Sequence, residues 1–279
     1  MPRALVTGAA RGIGRATTLR LAASGWDVIA GVRRAEDGEA LVRAAPQRIT
    51  AVELDITDDE RVTAVAQSLP PDLDAVVNNA GIVVGGPIEA VPLPELRRQL
   101  EVNVVGQASV TQAVLPRLRR SRGRVVFVSS LSGRVATPMF GPYNASKFAL
   151  EGMADALRME LAPWGIRVAL VEPAQTDTDL WRNADADLNE SIGLLSPEHR
   201  SLYAKHIEGF RKSIPRSQRA ASPVDGVAAV VEKALTDKRP RARYVVGRSA
   251  LIQAFLSGVT PTRVLDVMLR TGTGVPRKP

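Results

Sequence analysis

A tyrosine and a lysine four residues apart, Tyr143 and Lys147 in YNASK, form the pair best suited to proton transfer in this sequence. Residues at i and i+4 project from the same face of a helix. A free tyrosine has a pKa of about 10, and an adjacent ammonium favours tyrosinate and lowers that pKa. Ser130, thirteen residues before Tyr143, adds a hydroxyl that can polarise a carbonyl oxygen. The three side chains together predict acid–base chemistry at a carbonyl or alcohol carbon, although the Tyr–Lys pair alone is common on helix surfaces.

A glycine-rich turn near the N-terminus predicts a site for a phosphate-bearing ligand. TGAARGIG places glycines at Gly8, Gly12 and Gly14, a spacing that differs from the G-x-G-x-x-G of the general dinucleotide fingerprint. Glycines let the backbone approach a pyrophosphate, and the N-terminus of the following helix stabilises the negative charge. For this motif alone, a tight strand-to-helix turn without a ligand is the alternative.

Two further segments follow predicted strands, where parallel α/β sheets bind their ligands. Asp55 comes after the third strand and offers a carboxylate that can accept a hydrogen bond from an adenine amino group. NNAG at 78–81 ends the fourth strand, and its small residues leave room for a cofactor. An ordinary turn is the alternative for NNAG, because asparagine and glycine are turn residues.

The order of elements predicts an α/β, doubly wound fold of Rossmann type. Short Val/Ile-rich runs alternate with segments of helical periodicity, which is typical of a parallel sheet covered on both faces. Right-handed crossovers then place helices on both sides, and we expect about seven strands in a single domain over residues 1–279. Predicted strands are 4–7, 28–32, 49–54, 73–78, 123–129, 166–172 and 243–246; predicted helices are 12–24, 57–69, 93–120, 143–163 and 223–236.

Composition excludes several kinds of site. The 279 residues include no cysteine, which excludes disulfides, thiolate nucleophiles and Cys-ligated zinc and fits a cytoplasmic location. His199 and His206 have no third ligating group close by, so we expect surface histidines and no metal site. The sequence contains no run of 18 apolar residues, so we expect no transmembrane segment. The N-terminal segment does not resemble a signal peptide.

The net charge of +8 raises the alternative of nucleic-acid binding. Arginines cluster at 117–124 and 238–243, each just before a predicted strand. Neither cluster interleaves aromatic residues for base stacking. We therefore expect solvated loops and helix ends there, and no nucleic-acid partner.

Several ordered motifs resemble the short-chain dehydrogenase/reductase family over residues 4–178. TGAARGIG, NNAG, the asparagine of EVNVVG, the serine, YNASK and a Pro-x-x-x-x-Thr segment occur in the family's order. The resemblance implies a catalytic tetrad of Asn103, Ser130, Tyr143 and Lys147. In it, Tyr143 would be the acid in reduction and the base in oxidation, Lys147 would also hold the nicotinamide ribose, and Asn103 would keep a proton-relaying water in place.

The same resemblance implies a dinucleotide site in which Thr176 and Thr178 hold the nicotinamide carboxamide. Ala174 departs from the family, which usually has glycine after this proline, and we expect a slight shift of the loop. The implied cofactor-binding residues are Gly8, Arg11, Gly12, Ile13, Gly14, Arg33, Asp55, Ile56, Asn79, Ala80, Gly81, Tyr143, Lys147, Pro173, Thr176 and Thr178.

The end of the second predicted strand favours NADP(H) over NAD(H). An NAD enzyme would carry Asp or Glu there to bind the ribose 2′-hydroxyl, whereas this chain has Val32 followed by Arg33. Arg11 lies inside the glycine turn, and two converging guanidiniums suit a 2′-phosphate. Two solvated arginines in an arginine-rich protein are the alternative.

The segment VALVEPAQTDTDLW resembles the steroid- and retinol-dehydrogenase-like branch, which implies a hydrophobic ketone, aldehyde or alcohol as substrate. We expect residues 177–220 to cover the substrate. The C-terminal extension, 248–272, is expected to be helical and to cover the pocket or contact a second subunit, with a membrane surface as a further alternative. The predicted apolar lining is Leu180, Trp181, Leu194, Leu195 and Phe210.

Two other functions fit the same motifs. A 3-oxoacyl thioester reductase would share the catalytic residues, but such enzymes usually lack so long a C-terminal extension. A non-catalytic NADP-binding sensor would share the glycine turn, but it would not need a proton donor. The resemblance also implies a homodimer or homotetramer built through the helices around 93–120 and 143–162.

Overall fold

The computed structural model describes residues 1–178 and 182–276. Within those ranges, seven strands form one sheet in which all neighbours pair in parallel. The strands are β1 (Arg3–Thr7), β2 (Asp27–Val32), β3 (Ile49–Glu53), β4 (Ala75–Asn78), β5 (Arg124–Val128), β6 (Arg167–Pro173) and β7 (Arg243–Val246). They lie in the order β3-β2-β1-β4-β5-β6-β7, which confirms the predicted doubly wound parallel sheet.

Helices cover both faces of the sheet, as right-handed connections between parallel strands require. Three of them, α1, α2 and α10, pack on one face, while α3, α5 and α6 pack on the other. The described helices are α1 (Gly12–Ala23), α2 (Ala35–Ala44), α3 (Asp59–Ser68), α4 (Leu93–Leu100), α5 (Gly106–Ser121), α6 (Gly141–Leu161), α7 (Ala184–Gly193), α8 (Pro197–Leu202), α9 (Ala204–Arg219), α10 (Val224–Thr236), α11 (Arg248–Val259) and α12 (Thr262–Gly272).

Successive side chains along each strand enter opposite cores, because the side-chain period of a strand is two. Val6 of β1 packs in one core with Leu21 of α1. Its neighbour Leu5 packs in the other core with Leu150 of α6. Burial on both faces explains why the strands are continuous apolar runs rather than alternating ones.

Helix α2 was missed in the sequence because its apolar face is very short. Gly38 and Leu41 are its buried residues, and a glycine in a helix interior usually argues against a helix. The structure gives a reason for this glycine: a Cβ at position 38 would lie 2.6 Å from the Cβ of Ala51 on β3. Gly38 therefore lets α2 pack directly on the edge of the sheet.

The helix predicted over 93–120 is interrupted by a π-helical turn at Glu101–Val105, between α4 and α5. Such turns are rare and often lie at functional sites. Apolar periodicity does not reveal a one-residue insertion, so the prediction of an uninterrupted helix was wrong here. The turn contains Asn103, one of the proposed tetrad residues.

The strand order reverses at β1, with β2 and β3 on one side and β4 to β7 on the other. In doubly wound folds, ligands bind in the crevice outside the carboxyl ends of the strands at this point. None of the helices described is both long and apolar enough to span a membrane.

Candidate active site

A cleft of about 1820 Å³ opens at the carboxyl edge of the sheet, where β1, β4, β5 and β6 end. Of the residues predicted to bind cofactor or to act in catalysis, all except Gly14 and Asn103 line this cleft. Those two lie directly behind its wall, as described below. The cleft therefore brings the predicted glycine turn, proton donor and carboxamide-binding loop into one continuous space.

The glycine turn has a shape that larger residues would not allow. Gly8 and Gly12 have φ angles of +63° and +53°, in the left-handed region that favours glycine. A Cβ on Gly14 would lie 2.2 Å from the carbonyl oxygen of Gly8, so Gly14 allows the first turn of α1 to approach the end of β1. No side chain caps the N-terminus of α1, which suits the binding of an anion there.

Thr7, which was not predicted as a site residue, joins the glycine turn to the NNAG segment. Its hydroxyl oxygen accepts hydrogen bonds from the backbone N–H groups of Asn79 and Ala80, both at 3.0 Å. The Asn79 amide nitrogen donates in turn to the carbonyl oxygens of Thr7 and Gly8 at 3.0 and 3.1 Å. Asn79 is thus held by the turn and shapes the floor of the cleft.

Three buried amides follow one face of the interrupted helix at four-residue spacing: Gln99, Asn103 and Gln107. Gln99 Oε1 accepts from the backbone N–H of Val84 at 2.6 Å, and Gln107 Nε2 donates to the carbonyl oxygen of Ala80 at 2.8 Å. These side chains fix the chain after β4. The regular spacing of amides among apolar residues was the signal that could have identified Gln99 and Gln107.

Asn103 contacts both the chain after β4 and the helix that carries Tyr143. Its Oδ1 accepts from the backbone N–H of Ile82 at 2.9 Å, and its Nδ2 donates to Ser146 Oγ at 3.1 Å. Ser146 Oγ in turn donates to the carbonyl oxygen of Tyr143 at 2.7 Å. Both polar atoms of the Asn103 side chain are thus bonded to the protein, and its role with a proton-relaying water stays a prediction.

Ser130, Tyr143 and Lys147 meet on the cleft wall formed by the end of β5 and the start of α6. Lys147 Nζ lies 5.7 Å from the centre of the Tyr143 ring. The ammonium donates a hydrogen bond to the carbonyl oxygen of Val128 at 2.9 Å. Ser130 Oγ accepts from the backbone N–H of Ser132 at 3.1 Å. The serine is therefore held in place by the turn that it begins.

The pKa of Tyr143 differs from the sequence expectation in direction. Burial raises the pKa of the phenol, while a hydrogen bond with Ser130 opposes the rise. Burial also lowers the pKa of the Lys147 ammonium to about 8, and the negative charge of Glu151 acts against this. Desolvation of the phenol thus outweighs the expected effect of the lysine. Tyr143 keeps its proton at neutral pH, which suits a proton donor.

Arg33 and Asp55 lie close together at the cleft end next to β2 and β3, and Arg11 lines the same cleft from within the glycine turn. Thr57 holds the Asp55 carboxylate in place with two hydrogen bonds to Oδ1. The backbone N–H of Thr57 donates at 3.0 Å, and its hydroxyl donates at 2.7 Å. The Thr57 N–H lowers the pKa of Asp55 most, and the Arg33 charge lowers it further. Arg34, by contrast, pairs with Asp37 at 3.1 Å.

The loop after β6 closes over the glycine turn. Thr178 Cγ2 would lie 3.3 Å from a Cβ on Gly12, and the hydroxyl of Thr178 donates to the carbonyl oxygen of Thr176 at 3.3 Å. Ala174 is not among the residues with positive φ. Alanine is therefore accommodated where the family usually has glycine, and no backbone strain arises at this position.

The segment predicted to cover the substrate forms α7, α8 and α9. Leu194 and Phe210 line the cleft, as predicted, whereas Leu195 is buried away from its surface. Leu180 and Trp181 lie outside the described residues. The prediction for Leu195 was wrong because the side chain turns into the packing beneath the helices.

The C-terminal extension borders the cleft through α12, whose Leu269 and Gly272 belong to the lining. A Cβ on Gly209 of α9 would lie 2.0 Å from the carbonyl oxygen of Gly274. The backbones of α9 and of the turn after α12 are therefore in direct contact. The C-terminal extension therefore lies beside the pocket, in agreement with the first of the three positions expected for it.

The arginine clusters have structural roles in the described chain. Arg117, Arg120 and Arg124 donate to backbone carbonyl oxygens at 3.1, 3.1 and 2.8 Å. Arg243, in the second cluster, is bound to acidic side chains of α6. Four of the arginines in the clusters that raised the alternative of nucleic-acid binding thus have their guanidinium groups bound to other parts of the chain.

The two histidines lie on the helices that cover the cleft. The ring of His206 packs edge-on against that of Tyr203, with centroids 5.1 Å apart, and His199 is half-buried on α8. Within residues 1–178 and 182–276, no three potential ligands among His, Asp and Glu come together as a metal site.

The sequence profile described as short chain dehydrogenase matches residues 2–189. The chain belongs to the short-chain dehydrogenase family. Its members are oxidoreductases of alcohol and carbonyl groups, as the resemblance in the motifs implied.

Two relatives and one solved structure extend the match over almost the whole chain. The NADPH-dependent 3-dehydrocapnine reductase of Ornithobacterium rhinotracheale is 34% identical over 276 residues, 95% of each chain. Retinol dehydrogenase 5 of Mus musculus is 34% identical over 278 residues, covering 95% of this chain and 86% of that protein. A short chain dehydrogenase from Burkholderia cenocepacia J2315, solved in complex with NADP, is 28% identical with a TM-score of 0.75, over 99% of this chain and 98% of that one. The predicted resemblance to retinol-dehydrogenase-type members of the family is confirmed.

Proposed function

We propose that this short-chain dehydrogenase transfers a hydride between NADP(H) and a carbonyl or alcohol carbon, with Tyr143 as the proton donor in reduction. The observation that carries the proposal is that Ser130, Tyr143 and Lys147 share one cleft with the glycine turn. Asn103 supports the same site from behind, through Ser146. A phenol that keeps its proton at neutral pH can donate that proton to a carbonyl oxygen.

The residues present fit a dinucleotide. The space beside Gly8 and Gly14 is a cradle that a Cβ would fill, and the uncapped N-terminus of α1 beside it suits a pyrophosphate. We propose that this turn holds the pyrophosphate, that Asp55 and Ile56 contact the adenine, and that Thr176 and Thr178 bind the carboxamide. The remaining proposed contacts are Ile13, Asn79, Ala80, Gly81 and Pro173, all of which line the cleft.

NADP(H), predicted from the sequence, is also the cofactor named for the similar proteins. One relative is named NADPH-dependent, and one neighbour was solved with NADP. Arg33 supports this choice, because it lines the cleft and has no ion pair within the described residues. Arg11 lines the same cleft from within the glycine turn, and we propose it as a second guanidinium for the 2′-phosphate.

Each tetrad side chain has a distinct proposed role. NADPH, when bound, supplies the hydride. Tyr143 donates its proton to the substrate oxygen, and Ser130 donates a hydrogen bond to the same oxygen. Lys147 places a positive charge near the tyrosinate that proton donation leaves behind. Asn103 fixes α6 relative to the chain after β4.

The substrate proposed is a bulky hydrophobic ketone, aldehyde or alcohol. Beyond Tyr143, the cleft is bordered by Phe140 and Phe210, whose rings meet edge-on with centroids 5.2 Å apart. Leu194 and Leu269 contribute further apolar surface. Apolar wall residues beside a few converging polar groups are typical of pockets for such ligands.

We also propose a homo-oligomer assembled through α5 and α6. Large apolar side chains are exposed along α6 and in the turn after it: Phe148 is 45%, Met159 67% and Trp164 50% exposed. Exposed apolar patches of this kind are typical of protein interfaces. Light scattering coupled to gel filtration tests this, and a monomer at micromolar concentration would contradict it.

A cytoplasmic location is proposed on the absence of cysteine alone.

The function is tested by following the loss of NADPH absorbance in the presence of apolar ketones, aldehydes and acyl thioesters. Turnover of an apolar carbonyl compound supports the proposal. Turnover restricted to acyl thioesters would instead identify a 3-oxoacyl thioester reductase. Tight NADPH binding without turnover of any compound would favour a non-catalytic sensor.

A further inference from the structure

A cluster of four charged side chains lies behind the catalytic wall: Arg134, Glu151, Glu172 and Arg243, here called the charge cluster. Arg134 Nη2 donates to Glu172 Oε1 at 2.9 Å, and Arg243 Nε lies 3.2 Å from the same oxygen. Arg243 Nε also donates to Glu151 Oε2 at 2.9 Å. Glu172 is 0% exposed and Glu151 is 6% exposed. Two buried carboxylates thus face two guanidiniums, and Arg243 also pairs with Asp155 at 2.6 Å.

Glu151 continues the face of α6 that carries the proton donor. Tyr143, Lys147 and Glu151 follow one another at four-residue spacing, so they stand on one side of the helix. No salt bridge joins Lys147 to Glu151 within the described residues, since none of the ion pairs under 4.0 Å includes this lysine. Any influence of Glu151 on Lys147 therefore acts through space.

Stability alone does not account for the charge cluster. Removing carboxylates from water is costly, and the attraction within a buried ion pair offsets that cost only when its geometry is good. Apolar residues of similar volume often serve equally well or better. Glu151 Oε1 is also buried without a hydrogen-bond partner in the described chain, so its arginine does not satisfy the whole carboxylate.

We propose that Glu151 is a positioning residue for the proton-donor site: its buried carboxylate, paired with Arg243, places a negative charge one helical turn from Lys147. The proposal rests on the proposed function insofar as Lys147 serves Tyr143 there. Arg134 and Glu172 complete the charge balance around Arg243. Glu151 itself does not line the cleft.

The electrostatics agree with this geometry. Burial lowers the pKa of Lys147 to about 8, and Glu151 is the charged group that opposes the fall. The other charged or titratable groups around the pair are Tyr143 on α6, Glu172 on β6, Arg134 after β5 and Arg243 on β7. Without the carboxylate, the ammonium would face desolvation without a compensating negative charge.

The direct test is a titration of the lysine side chains in the cofactor-free enzyme. The chain has six lysines, so ¹³Cε-lysine NMR gives few signals, and the signal missing in Lys147→Met identifies Lys147. In the wild type, Lys147 should titrate near pH 8, well below exposed lysines at about 10.4. In Glu151→Gln, which keeps the shape of the side chain, the midpoint should fall by about one pH unit.

Asp155→Asn is the matched control. Asp155 accepts from the same Arg243, through Nη2 at 2.6 Å, but lies two helical turns beyond Lys147. In Asp155→Asn, the titration midpoint of Lys147 should stay within about 0.2 pH units of the wild-type value. The same result is expected for Glu151→Asp, which retains the negative charge. Equal shifts in Glu151→Gln and Asp155→Asn, or no shift in either, would overturn the proposal.

A second readout separates this inference from the proposed function. In an active enzyme, Glu151→Gln should move the alkaline limb of the kcat profile to lower pH, with little change at pH 6.5, whereas a purely structural loss would lower kcat at every pH. An unmoved limb together with a shifted NMR midpoint would contradict the proposed role of Lys147 in catalysis. The effect of Glu151 on Lys147 would still stand in that case.

Discussion

The carbonyl oxygen of Gly8 lies 2.2 Å from the point where any larger residue would place its Cβ at position 14. Gly14→Ala should therefore displace the first turn of α1 from β1 and weaken NADPH binding at least tenfold, about 1.4 kcal/mol. Fluorescence titration of NADPH measures the loss. Gly226→Ala is the control, because a Cβ there meets nothing within 4 Å. Similar affinities in both variants would contradict the tight fit.

Arg33 should determine the preference for NADPH over NADH. Arg33→Ala removes a charge-assisted contact, so the Kd of NADPH should rise about 10- to 100-fold while that of NADH changes less than threefold. Arg34→Ala is the matched control, because Arg34 is already paired with Asp37. Equal losses for both cofactors in Arg33→Ala would show that this guanidinium does not bind the 2′-phosphate.

The Lys147 ammonium should lower the stability of the folded chain at neutral pH. Below about pH 8 the lysine is charged in both the folded and the unfolded chain, and burial of that charge destabilises the folded state. Between about pH 8 and 10.4 the lysine of the unfolded chain binds more protons than that of the folded chain, so the free energy of unfolding rises with pH. Lys147→Met should therefore raise the free energy of unfolding by about 1–3 kcal/mol at pH 7, and by less at pH 9.5. Urea denaturation at the two pH values measures the difference.

Exposed Lys238 provides the control for that measurement. Lys238→Met should change the free energy of unfolding by less than about 0.5 kcal/mol at either pH. A Lys147→Met variant that is less stable than wild type at pH 7, or whose difference does not depend on pH, would contradict the proposed cost of the buried charge.

Phe210 should select for bulky apolar substrates. Its ring packs edge-on against Phe140 at the substrate end of the cleft, so Phe210→Ala should lower kcat/KM for a large apolar ketone about tenfold. A small carbonyl compound, which does not reach that wall, should be turned over almost unchanged. Phe255→Ala, at a side chain 69% exposed on α11, serves as the control. A uniform loss for large and small substrates would argue against this role.

Much of the fold could be predicted because it depends on local patterns. Val/Ile-rich runs mark strands that are buried on both faces, and β7 was predicted at its observed bounds, Arg243–Val246. Helix α2 could not be predicted because its apolar face is very short, and because the reason for Gly38 is a close contact with β3 that appears only in the folded chain. The π turn at Glu101–Val105 was missed for a related reason: its signal is one inserted residue, which apolar periodicity does not show.

The candidate site was predictable as a set of residues but not in its electrostatics. The spacing of Tyr143 and Lys147 indicates that the side chains are close, but their pKa values depend on how deeply the fold buries them. Thr7 and Ser146 were missed because a single hydroxyl residue has no pattern of its own. Their contacts, to Asn79 and Asn103, exist only once separate elements meet.

The most direct test of the account is the steady-state and single-turnover rate of Tyr143→Phe with an NADPH concentration that saturates the enzyme. Removing the hydroxyl should lower kcat by about 10²–10⁴-fold while the Kd of NADPH changes less than threefold, because only the proton donor is lost. A variant that reduces its carbonyl substrate at the wild-type rate would contradict the assignment of Tyr143 as the acid.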